Sequence, residues 1–141
     1  MDKVVEFLKQ LDLHPVADHY TVAILSIAVL IDLFASVVSS RVWIRYMALT
    51  LTILGSIAAG TSYLTGGWEA HRVFQALAPE AKAVLHRHAQ LGEAMAITFG
   101  ILALWRILLQ ATNAFANSRG IYLIVAVVAV VVLFYVASLG G

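Results

Sequence analysis

The sequence predicts an all-α integral membrane protein, an up-down four-helix bundle with a short amphipathic N-terminal helix lying at the interface. Three observations predict it. Of 141 residues, 62% are hydrophobic and 12% charged, and the mean hydropathy of +0.91 is far above that of a water-soluble domain. Four apolar runs, 20–39, 42–64, 89–109 and 121–139, approach or reach the roughly 20 residues a helix needs to cross about 30 Å of hydrocarbon. The links after the first and third runs are short enough to force antiparallel neighbours.

Before the first run, Val4, Val5, Phe7, Leu8 and Leu11 recur at helical spacing opposite Asp2, Lys3, Glu6 and Lys9, the pattern of an interfacial helix over Asp2–Leu13. Pro15 predicts its end, because the residue before a proline disfavours the α region. The first span is then expected to start near Asp18 or His19 and to stop at Ser39–Ser40. The mixed charge of the first 18 residues argues against a cleaved signal peptide, so the N-terminus is expected to be retained.

"SSRVWIR" links the first span to the second, and "QATNAFANSRG" links the third to the fourth. Both lie on one side of the membrane. The loop "TGGWEAHRVFQALAPEAKAVLHRH" lies on the other, where Trp68, Val73, Phe74 and Leu77 predict a second interfacial helix and Pro79 with Glu80 the start of the helix leading into span three. The short links carry Arg41, Arg45, Arg106 and Arg119 without an acid, which favours a cytoplasmic location for them in a prokaryotic inner membrane and a periplasmic location for the opposite face. The whole chain, 1–141, reads as one domain with no internal repeat. Trp43, Trp68 and Trp105 near the span ends fit an aromatic belt.

Composition excludes several chemistries. Without cysteine there is no disulfide, thiolate metal site, iron–sulfur cluster or c-type haem attachment. A net charge of +1 provides no nucleic-acid surface. No nucleophile–base pair or phosphate loop is recognisable, so no catalytic residue is assigned.

The polar residues are the informative ones. All five histidines, His14, His19, His71, His86 and His88, fall on the face opposite the arginine-bearing links. His71 and His86 read as interfacial residues. His19 and His88 begin spans one and three, which a four-helix bundle places diagonally, and two inward imidazoles there could ligate the iron of a b-type haem on both faces. His14 and the arginines Arg72 and Arg87 would serve its propionates, and Gly92, one turn past His88, would leave room for a flat ring. The same nitrogens allow a small metal site at His19 and His88, with His14 as a third nitrogen and Asp18 or Glu93 as an oxygen ligand. Within span one, Asp32 requires a partner, for which Arg45 and Arg106 are the candidates. In span two, Gly55 with Ala59 and Ser56 with Gly60 give the small-residue spacing of close helix packing.

"LHPVADHYTVAIL" resembles the opening of a prokaryotic four-span membrane family, the domain of unknown function 2231, and the likeness continues through Asp32, "GSIAAGTSYLTG", "HRHAQLGEAMA" and "SLGG". The Phe-Pro that follows the second histidine of that family is Tyr20-Thr21 here. His14, His19 and His88 match family histidines, whereas His71 and His86 do not. The family's architecture is similar to that of membrane b-type cytochromes, so the resemblance implies haem b and electron transfer, in or beside a respiratory or photosynthetic complex, with other subunits or a cytochrome as partners. The alternatives are a cofactor-free structural or assembly subunit, and the small metal-ion site.

Overall fold

A computed structural model describes residues 13–38, 42–112 and 114–140. Among them every regular element is helical: α1 (Leu13–Val38), α2 (Val42–Val73), a 3-10 turn (Phe74–Ala76), α3 (Pro79–Ala111) and α4 (Phe115–Gly140). Each of the four helices is long and apolar enough to cross a membrane. At about 1.5 Å per residue, α2 with 32 residues and α3 with 33 outrun the roughly 30 Å hydrocarbon layer. Both overhang on the histidine-bearing face.

The helix ends differ from expectation for physical reasons. The predicted interfacial helix over Asp2–Leu13 lies outside the described residues except for Leu13. The described helix α1 already includes Leu13 and His14, so Pro15 lies within it rather than ahead of it. His14 is therefore part of the spanning helix. Gly66-Gly67 do not stop α2, which runs on to Val73, so only Phe74–Ala76 remain of the second interfacial helix. Ala78 is extended and Pro79 opens α3, as the sequence indicates.

The helices pack as a ring, α1 on α2, α2 on α3, α3 on α4 and α4 back on α1, so α1 and α3 are diagonal. Small residues bring the backbones together, as packing in lipid requires. Gly55 is such a seat: a Cβ there would stand 2.5 Å from Leu25 Cδ2. Ser56 adds a bridge, its hydroxyl 2.8 Å from the Phe99 carbonyl on α3. Gly60, its predicted companion, meets nothing within 4 Å. The core joins Leu25, Val29, Phe99, Leu102, Tyr122 and Leu133, while Ile27, Leu30, Ile101, Ile124 and Val131 face outward, where lipid would cover them.

No internal repeat is visible in the residues, yet contacts recur at a fixed offset along the chain. His14 Nδ1 meets the Ser62 carbonyl and His88 Nδ1 the Val136 carbonyl, each across 48 residues. Shifting the first contact by 74 positions, the separation of Asp32 and Arg106, produces the second. The same shift carries buried Leu25, Ala28, Val29, Asp32 and Ala35 onto buried Phe99, Leu102, Ala103, Arg106 and Leu109. It also carries Gly66-Gly67 onto Gly140-Gly141. Corresponding positions of the two helical hairpins, α1–α2 and α3–α4, thus make corresponding contacts, as halves related by a pseudo-two-fold axis would. A residue touches its own equivalent only beside such an axis. Among the described residues, Asp32–Arg106 near one end and His14–His88 near the other do so.

Candidate functional site

Near the arginine-bearing end, Asp32 of α1 and Arg106 of α3 are 1% and 0% exposed. Arg106 Nε and Nη2 donate to the two Asp32 oxygens, each at 3.1 Å. Its remaining donors reach the Gln110 side chain and the Arg45 carbonyl, both at 3.1 Å. Phe115 covers the guanidinium, its ring centroid 3.9 Å away. Of the two expected partners, Arg106 supplies the charge and Arg45 only its carbonyl. Four of the five guanidinium N–H groups are engaged. The pair is closed.

At the other end, the His14 and His88 rings stand edge to face with centroids 5.9 Å apart. A carbonyl can only accept, so the contacts at 3.0 Å to Ser62 and 3.1 Å to Val136 require the proton on Nδ1 of each ring. In a neutral imidazole that leaves Nε2 as an acceptor. The arrangement matches the support of metal-ligating histidines, whose second nitrogen donates to a carbonyl. Asp18, one turn beyond His14, accepts the Ser62 hydroxyl at 2.8 Å. Donor atoms of His14, Asp18 and His88 all lie within 4.8 Å of one another. Three ligands roughly 2.0–2.2 Å from a tetrahedral ion stand about 3.3–3.6 Å apart, so the set would have to draw in by roughly 1 Å to hold one.

Two glycines seat the imidazoles. A Cβ on Gly66 would come within 2.8 Å of His14 Cε1, and one on Gly140 within 2.8 Å of His88 Cε1. Any side chain at either position displaces a ring. Sequence reasoning missed both glycines, although the signal was present as a Gly-Gly pair at the same distance after each of the two histidines. Below the rings a cavity of about 120 Å³ opens between α2 and α3. Its walls include Ala59, Ala70, Leu85, Ala89, Gly92 and Leu133, and are mainly apolar.

The remaining predicted residues lie elsewhere. His19 does not face His88: it is exposed, and its Nδ1 turns back to the Pro15 carbonyl at 2.6 Å. Five positions separate His14 from His19, so the two cannot share a helix face, and His14 is the one that turns inward. His14 is thus a member of the facing pair rather than an accessory to it. Arg72 pairs with Glu69 on α2, and the Arg87 guanidinium lies 5.9 Å from the centre of the Tyr135 ring. His71 caps its own helix at the Gly67 carbonyl, and His86 and Glu93 are exposed. Asp18 is the acid beside the imidazoles.

The family model described as predicted membrane protein (DUF2231) matches residues 10–141. Neither the curated proteins nor the solved structures contain a match.

Proposed function

The chain belongs to the DUF2231 family of predicted membrane proteins, and we propose that it holds a divalent transition-metal ion at one membrane face through His14, His88 and Asp18. The observation that carries this reading is the double lock on Nδ1. With both Nδ1 protons held by carbonyls, each ring keeps one Nε2 lone pair, and His14, His88 and Asp18, which line one cavity, each bring a donor atom within 4.8 Å of the others. Two imidazoles and one carboxylate are a donor set for zinc or ferrous iron, and unlike the all-oxygen sets of calcium or magnesium. The histidine-bearing face is assigned to the periplasmic side of a prokaryotic inner membrane, on the arginines of the opposite links.

A b-type haem with an electron-transfer role is the second reading, favoured by the same diagonal pair, with His14 in place of His19 as the axial partner of His88. The Asp18 carboxylate beside the two imidazoles suits an ion, whereas a haem iron with two axial imidazoles has no position left for it. The ion therefore ranks first.

Metal analysis and visible spectroscopy of the detergent-purified full chain separate the readings. About one transition ion per chain without a Soret band supports the ion. A Soret band that His14→Ala and His88→Ala remove supports haem and respiratory electron transfer. Neither metal nor band leaves a cofactor-free structural subunit of a larger membrane complex.

A further inference from the structure

Resting on the metal reading above, we infer that the bound ion keeps an open coordination position on the Gly92 side, and that this position takes a small uncharged ligand of the size of dioxygen or nitric oxide. The internal two-fold carries the argument. His14 and His88 are equivalents, but the groups one turn further into the membrane are not: Asp18 on α1 corresponds to Gly92 on α3. One side of the ion receives a carboxylate. The other receives no side chain.

That space is real rather than filled by a neighbour. Gly92 lines the cavity, and a Cβ built on it would meet nothing within 4 Å. Three protein ligands plus a vacant position is the arrangement of metal sites that bind exogenous molecules, whereas structural sites close all four.

The mainly apolar walls suit an uncharged ligand. On the Asp18 side, Thr21 donates its hydroxyl proton to the Ala17 carbonyl at 2.8 Å and Ser62 donates to Asp18. Neither hydroxyl is left to donate to an anion. On the Gly92 side the walls are Met95, Ala96, Leu133 and the Val136 side chain, the last standing where the first hairpin has Ser62. An anion reaching the ion would have the ion's charge as its partner but no free donor on Thr21 or Ser62, whereas an uncharged diatomic needs none.

The test uses the full chain in detergent, loaded anaerobically with ferrous iron, with iron content measured before nitric oxide is added and the nitrosyl followed by electron paramagnetic resonance. Wild type should form the iron nitrosyl, and about a tenfold excess of azide should leave it in place. Gly92→Leu should keep its iron and bind nitric oxide at least about tenfold more weakly, because the side chain fills the vacant position. Gly92→Ala tests the same point with a smaller burden on folding and should weaken nitric oxide by roughly threefold. Gly100→Leu, the same change on an exposed position of α3, should leave both readings unchanged.

Iron-loaded wild type that forms no nitrosyl, an iron-loaded Gly92→Leu or Gly92→Ala that binds nitric oxide like wild type, or ready displacement by azide overturns the inference and leaves the metal reading standing. A wild-type chain that takes up no iron overturns ferrous iron as the ion, and this inference with it.

Discussion

The α1–α3 diagonal is bridged twice, and the two bridges have opposite character. Asp32–Arg106 is a pair of opposite charges at 1% and 0% exposure with nearly every donor engaged. His14–His88 is a pair of identical groups, half-buried, each with one nitrogen anchored to a carbonyl and one left over beside a cavity. Both occupy the internal two-fold, where a residue meets its equivalent. The first is complementary and complete without a ligand. The second keeps an acceptor nitrogen on each ring beside an open cavity, where a cation can meet it, and this difference separates a structural lock from a candidate binding site.

The comparison breaks most visibly at the closed bridge. Arg106→Leu leaves Asp32 unpaired among apolar helices and should cost about 3–5 kcal/mol in a reversible unfolding titration, whereas Asp32→Leu combined with Arg106→Leu should recover most of that loss. A double variant as unstable as the single one would mean that the contacts to Gln110 and the Arg45 carbonyl carry the lock. The same Arg106→Leu change should leave metal stoichiometry unaltered in whatever fraction stays folded, because the sites occupy opposite ends of the bundle.

The open bridge responds to its seats. Gly66→Ala and Gly140→Ala each push a ring from its carbonyl anchor, and each should weaken metal binding by about 10–100-fold, read by zinc competition with a chromogenic chelator. Equal losses would support the two-fold reading. A loss at one glycine alone would show that only one imidazole is a ligand. The smallest effect is expected at Ser56→Ala, which removes the bridge to the Phe99 carbonyl and should cost about 0.6 kcal/mol of stability without touching metal affinity.

Much of the fold was legible because lipid permits few solutions. Apolar run lengths gave the number of spans, the short links gave the ring order, and the expense of a buried carboxylate narrowed the Asp32 partner to two arginines, one of which is correct. The histidine face was legible too. The partner within it was not, because Pro15 reads as a boundary when it lies inside the helix with His14, and that single misplacement exchanged His14 for His19. The glycine seats were hidden for a similar reason: Gly66-Gly67 resembles a helix stop, whereas the helix runs through it with Gly66 against the His14 ring. The repeat escaped notice because the hairpins share positions more than residues. Buried Ala48 corresponds to buried Tyr122, and Ala28 to Leu102, so shape is balanced across the axis while identity is not.

The central claim is that His14 and His88, rather than His19 and His88, form the ligand pair. Calorimetric titration of the detergent-purified chain with zinc tests it directly. Wild type and His19→Ala should each bind about one ion per chain with the same affinity, while His14→Ala and His88→Ala should each lose at least about 100-fold. Loss of binding in His19→Ala with retention in His14→Ala would contradict the account, as would binding that none of the three substitutions alters.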